Sequence, residues 1–414
     1  MRNRIVITGM GVVSPIGVGR EDFYNSLKEG KSGIKKITGF KTESEESMYG
    51  GEIVDFGAPV YLGKKGLRHL TRSTKMLFIA GQLALMDSMV RIRAKAFPHY
   101  SFVMPSSLSL KLVSTSPDHR EGIILGSTLG VFDALREFTW EYLKNGWRSV
   151  NPMGFTNTVM NSPAGNLAIK EKAQGINLTI SSGHASSLDA IGISKHYLEQ
   201  DQARMIFTGG TSELGPCIFV TFKKAGLLTK EPLSFNPTGE IKDGTLLGEG
   251  SVVFILEKQE TAKETGAAVT AVIEGYGTSF DTESAQYQYD PEAKAAKAAI
   301  QNALDDAEVK ASEIDFVSAG LSGHPTGDAM ELKAIRDVLG PDPLIISIKS
   351  LIGETFDCSG AFQLAAALYI FENKLFTQKS TLNLKTKQKY YSPKRALITS
   401  FGFNGHNSAL VVSR

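Results

Sequence analysis

The sequence predicts an α/β fold made of two duplicated βαβ halves, and three observations carry that prediction. Strand-like runs alternate with helical runs over most of the chain, the pattern of a layered protein with a largely parallel sheet. Five pairs of segments recur in the same order along the chain. Glycine (41 residues) far outnumbers proline (15), which fits many tight turns within folded structure rather than disorder. At 414 residues the chain exceeds one small core and calls for two or three domain-sized units.

The repeat sets the order of elements. Arg4 to Gly11, an apolar strand ending in glycines, is matched by Ala268 to Gly277. Gly122 to Gly130 is matched by Phe316 to Gly323. The strand, turn and helix around His184 are matched by Leu344 to Phe371, with a helix beginning near Cys358. Met205 to Gly210 is matched by Leu397 to Gly402, and Ser251 to Glu257 by Ser408 to Ser413. An ordered set of five divides the chain into halves at 1–257 and 258–414. Two stretches fall outside the scheme. Residues 95–118, rich in Ser, Pro and Lys, read as an insertion in the first half, either solvated or in contact with a partner. Lys223 to Gly244, with Pro232 and Pro237, reads as a long ordered connection.

Composition excludes several classes. A net charge of +2 gives no strong field for nucleic acid or a membrane surface. No run of 18 apolar residues exists, so membrane insertion is not expected, and the start is too short for a signal peptide. Two cysteines, Cys217 and Cys358, fit a reducing compartment, so a cytoplasmic location is expected. The seven histidines have no metal-site spacing, and no metal is expected. Gly9-Met10-Gly11 lacks the third glycine of a dinucleotide loop, and Pro15 would break the helix that loop requires, so the motif reads as a tight turn.

The chemistry concentrates at Ser181-Ser182-Gly183-His184-Ala185-Ser186-Ser187. A strand-like run (Ile176 to Ile180) enters this small-residue turn and a helical run (Leu188 to Tyr197) leaves it. Such an elbow is how many acyl-transfer enzymes present Cys or Ser as a nucleophile. Here the apex is His184.

Further motifs give the chain a family resemblance over essentially its whole length. They are Val6 to Gly17, Lys31-Ser32-Gly33-Ile34, Gly209 to Glu213, Leu247 to Gly250, Ser347-Ile348-Lys349-Ser350 and Ser400 to Gly405. In this order they resemble the β-ketoacyl-acyl-carrier-protein synthases. The resemblance implies a thiolase-like, five-layer α/β/α/β/α architecture and a two-fold dimer. It implies a Cys nucleophile at the position of His184, and two histidines that promote malonyl decarboxylation at the positions of Gly320 and Glu354. All three positions depart from the pattern, and the two threonines that usually hold phosphopantetheine are replaced by Ser322 and His324. Phe403, beside Gly402, resembles the gating residue of the oxyanion loop, and Lys349 the lysine that buttresses the site. Lys64, Lys65, Arg68 and Arg72 match a region where a basic patch meets the acidic carrier protein, and read equally as a solvated helix face.

Loss of the whole triad resembles the chain-length-factor subunits of type II polyketide and aryl polyene synthases, which pair with an active synthase chain. Many of those carry Gln at the Cys position, so His184 is a departure. The resemblance implies an active ketosynthase subunit and an acyl carrier protein as partners. It implies no cofactor on this chain, since the phosphopantetheine arm belongs to the carrier. A carrier-dependent acyltransferase or malonyl decarboxylase using His184 and Glu354, and a homodimeric acyl-chain-binding protein, are the competing readings.

Overall fold

The computed structural model describes residues 4–41, 48–64, 66–96, 120–240, 243–283, 288–374, 381–382 and 392–414. Most of the predicted insertion at 95–118 lies outside these residues, as does Lys65.

Ten strands form the framework. In the first half they are β1 (Ile5–Ser14), β2 (Glu121–Gly126), β3 (Asn177–Ile180), β4 (Met205–Ser212) and β5 (Gly250–Lys258). In the second they are β6 (Ala271–Phe280), β7 (Phe316–Ser318), β8 (Ile345–Ile346), β9 (Arg395–Phe401) and β10 (His406–Ser413). Their spatial order is β8-β7-β9-β10-β6-β1-β5-β4-β2-β3. Each half therefore repeats one order, third-second-fourth-fifth-first, and the two first strands meet antiparallel where Ile5 to Ile7 pairs with Ala271 to Ile273. Each of the five strand pairs matched in the sequence occupies equivalent places in this order.

The sheet is mixed, which corrects the expectation of a largely parallel one. The second, third and fourth strands of each half run parallel. The first and fifth join antiparallel, as do the fourth and fifth. In the second half β10 follows β9 across residues 402–405 alone and must reverse direction. In the first half the helix Pro216–Lys224 lies between β4 and β5, and the two strands still pair antiparallel.

Eight helices position the site. They are α1 (Arg72–Ala96), α2 (Phe132–Asn145), α3 (Ser162–Glu171), α4 (Ser186–Glu199), α5 (Pro216–Lys224), α6 (Lys294–Ala307), α7 (Pro325–Leu339) and α8 (Ser359–Asn373). Helix α1 covers β1 and β5 on one outer face, and α6 covers β6 and β10 on the other. Helices α4 and α8 touch each other between the two half-sheets. Of α8, every residue from Ser359 to Phe371 is buried, as befits the middle of five layers. The largest apolar clusters are a central one around α8 and two smaller ones under α1 and α6.

Gly9-Met10-Gly11 is no turn. It lies inside β1, which continues to Ser14 past a bulge at Thr8. A Cβ on Gly11 would lie 1.9 Å from the Ala80 carbonyl oxygen of α1. The second half repeats the device, because a Cβ on Gly277 would lie 2.3 Å from the Ala299 carbonyl oxygen of α6. The glycines let an outer helix lie directly on the strand backbone.

Candidate functional site

Each half ends its third strand in a turn that opens a central helix, and the two turns converge. In the first half β3 passes through Gly183 (φ 64) into the short turn Gly183–Ala185 and then α4. Gly183 supplies the left-handed backbone that turns His184 inward. In the second half β8 leads through Lys349–Ile352 and Gly353 (φ 79) to Glu354, the turn Phe356–Cys358 and α8. Gly353 is needed because a Cβ there would meet the Leu247 carbonyl at 2.7 Å.

His184 is buried, with its ring edge-on against Phe356 and Phe403, each centroid 5.1 Å away. Its carbonyl accepts from Ser400 Oγ at 2.7 Å, and Asn404 Nδ2 donates to the Ser182 carbonyl at 3.3 Å. The Phe403 loop is thus fastened over the elbow. Burial pushes the imidazole down to about 4, with Glu354 pulling the other way and Lys349 and His324 adding to the depression. The ring is neutral at pH 7, so its 3.9 Å approach to Glu354 Oε2 is a polar contact and not an ion pair.

Glu354 is buried and makes an ion pair with Lys349, Oε2 to Nζ 2.5 Å, while its Oε1 accepts the Phe356 N–H at 2.7 Å. Burial by itself raises this carboxyl, but Lys349, His184 and the Phe356 N–H together hold it below its ordinary value. Lys349 Nζ also donates to the Gly320 carbonyl at 2.5 Å. The Gly320 N–H donates to Glu331 Oε1 at 2.7 Å, and Thr399 Oγ1 donates to the same oxygen at 2.6 Å. Burial pushes Glu331 up to about 7. A Cβ on Gly320 would sit 3.2 Å from Glu331 Oε2 and 3.3 Å from the Thr399 carbonyl, so the position is crowded.

His184, Gly320, Glu354, Lys349 and Phe403 therefore meet in one place. Gly402 anchors the Phe403 loop by donating its N–H to the His406 carbonyl at 2.8 Å. His324 lies near enough to act on the His184 ring, and its Nδ1 accepts from Gly327 N at 3.2 Å and caps α7. Ser322 N donates to Asp328 Oδ1 at 2.8 Å.

The basic patch is smaller than the sequence suggests. Lys64 and Arg68 are exposed. Arg72 turns inward and grips buried Glu249 with two nitrogens, Nε to Oε2 2.8 Å and Nη2 to Oε1 2.6 Å, with Phe56 against its guanidinium. Its fork matches a carboxylate, so it fastens the start of α1 to the loop before β5. That inward pairing corrects its place in a carrier-facing patch.

Sequence reasoning missed Phe356, which is wedged between His184 and Phe222, the latter 4.9 Å away. Its φ of 42 is a left-handed conformation that a bulky residue rarely adopts. Nothing in the residue type signals this. The Glu354 bond to its N–H and its aromatic neighbours hold it there.

Two family models match the chain: β-ketoacyl synthase, N-terminal domain, over residues 2–262, and β-ketoacyl synthase, C-terminal domain, over residues 270–384. The chain belongs to the β-ketoacyl synthase family. It is 27% identical to 3-oxoacyl-[acyl-carrier-protein] synthase 2 of Coxiella burnetii, covering 100% of this chain and 99% of that one. It is 28% identical to the protein of the same name from Synechocystis sp., covering 100% and 98%. Among solved structures, the ishigamide ketosynthase/chain length factor superposes with a TM-score of 0.84 at 23% identity, covering 100% of this chain and 99% of that one. AntDE:AntF, described as a type II polyketide synthase acyl-carrier protein in complex with its ketosynthase bound to the hexaketide, gives 0.79 at 23% identity and full coverage of both. The fold is the thiolase-like fold of this family. In this member no helix among the described residues is long and apolar enough to cross a membrane.

Proposed function

We propose that this chain is a non-condensing ketosynthase-like subunit, a chain-length-factor analogue. It pairs with an active β-ketoacyl synthase chain and shapes the space in which that partner's acyl or polyene chain grows. One observation carries the reading: a buried Lys349–Glu354 ion pair lies at a position where family condensing enzymes place a histidine donor. Decarboxylative condensation needs donors aimed at a developing enolate oxygen. Glu354 is held ionised and would repel both that oxygen and a malonyl carboxylate. Gly320 brings no side chain, and Lys349 is engaged by Glu354 and the Gly320 carbonyl. His184 is a neutral ring walled in by two phenyl rings, and an acyl-imidazole stores a chain poorly.

The surface supports a partner of the same fold. The outer edge of β3 has no strand beside it among the described residues, whereas the equivalent strand β8 is covered by Thr381–Leu382. Near β3 in sequence, residues 132–160 expose Trp140 (65%), Leu143 (68%), Trp147 (69%) and Met153 (71%). An open strand edge and an exposed apolar stretch each suit association with a second chain. An acyl carrier protein is the natural third member, supported by the carrier complex among the similar structures and by exposed Lys64 and Arg68.

Two experiments test the reading. Co-expression with an active ketosynthase carrying the Cys-His-His set should give a stable one-to-one complex, and a homodimer that condenses by itself would overturn it. The purified chain, given malonyl-loaded carrier, should release no carbon dioxide above background. Release abolished by His184→Ala would replace this reading with the decarboxylase one.

A further inference from the structure

The two converging turns carry corresponding apex residues. His184 precedes the start of α4 by two positions, and Asp357 precedes the start of α8 by two. Asp357 is fully buried, and its Oδ2 accepts two consecutive backbone N–H groups of the first half, Thr128 at 2.7 Å and Leu129 at 2.7 Å. Consecutive amides of this kind form an anion-binding nest, here filled by the protein's own carboxylate.

The loop held in this way follows β2 and lies against the elbow. Thr128 Oγ1 is 3.2 Å from Ser186 Oγ and 3.2 Å from Ser181 Oγ, and accepts from Gly183 N at 3.3 Å. Leu129 packs against an apolar cluster that contains Phe356, the ring that meets His184 edge-on. One carboxylate therefore ties the loop of one half to the turn of the other, beside the place where a family nucleophile would sit.

We propose that Asp357 is a positioning residue: it locks the Ser127–Gly130 loop onto the His184 turn and makes this wall of the site impassable to an acyl chain. The barrier rests on the chain-shaping function proposed above; the lock itself does not. Bonds from backbone N–H to a buried carboxylate are among the stronger ones, so the wall is rigid rather than a gate.

Amide hydrogen exchange and product length test the two parts separately. In Asp357→Gly the Thr128 and Leu129 amides should exchange about 10- to 100-fold faster than in the wild type, corrected for intrinsic rates. Asp357→Asn keeps an acceptor oxygen without its charge and should fall between the two. It serves as the readout if the Gly variant does not fold. Complexes of either variant with an active ketosynthase should release longer products than the wild-type complex. Unchanged exchange in both variants would overturn the lock. Faster exchange with unaltered product lengths would overturn the barrier. If the wild-type chain binds no active ketosynthase, the functional reading fails, and the exchange data still decide the lock.

Discussion

At the scale of single residues, the site is an electrostatic arrangement in which Lys349 and Glu354 satisfy each other's charge. Glu354 and Lys349 are nearly free of solvent, so neither has water to fall back on if the other is removed. Lys349→Met should therefore destabilise the fold by about 3–5 kcal/mol, the usual cost of orphaning a buried charge. Lys349→Met with Glu354→Leu should recover most of that loss, because an apolar pair of similar volume needs no counter-charge; urea unfolding of the three proteins checks it. His184 gives a pH signature. Its folded value of about 4 lies below the ordinary 6.5, so above 6.5 it is neutral in both states and its burial carries no penalty. As pH falls from 6.5 toward 4, the unfolded chain gains a proton that the folded chain refuses, and stability declines by about 3 kcal/mol. In His184→Gln this decline is absent, so the stability difference should shift toward the variant between pH 7 and about pH 4.5. The raised acids Glu213, Glu331 and Asp357 titrate in the same window but are common to both proteins and cancel.

At the scale of elements, strand and helix order was legible because each half repeats the same apolar runs, and a repeat read twice is harder to misplace than one strand. Direction was not legible, since apolar periodicity is the same whether β5 runs with β4 or against it. The Gly-x-Gly of β1 read as a turn because glycine marks both turns and close backbone approaches, and only the helix above it decides which. Gly11→Ala and Gly277→Ala should each destabilise by about 3 kcal/mol, since the new methyl meets a helix carbonyl at 1.9 and 2.3 Å. Gly165→Ala in α3, with open space around its Cβ, should be neutral or stabilising by up to about 1 kcal/mol; thermal midpoints separate the two classes. At the site, His184, Gly320 and Glu354 were legible as departures from a pattern. Phe356 and Asp357 were not, because their roles depend on a left-handed φ and on a loop from the other half.

At the scale of the molecule, the two halves share a strand order but not their surroundings. The second half closes its outer edge with Thr381–Leu382, whereas the first has no strand beside β3 among the described residues and exposes Trp140 and Trp147 in the chain segment before it. An open edge and an exposed apolar stretch are hazards for a protein that works alone, and they are expected of one that works in a pair. Leu143 and Trp147 are more than two-thirds exposed, so neither supports the fold of its own chain. Leu143→Glu with Trp147→Glu should leave the urea midpoint of the isolated chain within about 0.5 kcal/mol of the wild type, as surface changes do. The same pair should weaken capture of an active ketosynthase by at least about tenfold, since charged groups would have to be desolvated at the core of the contact. Arg72→Gln supplies the opposite control. It breaks the internal grip on Glu249 and should lower the midpoint by about 2 kcal/mol or more while leaving pairing per folded molecule unchanged. Size-exclusion chromatography of the co-expressed chains reads both outcomes. Full pairing by the double Glu variant would place the interface on another face and remove the main structural support for a paired subunit.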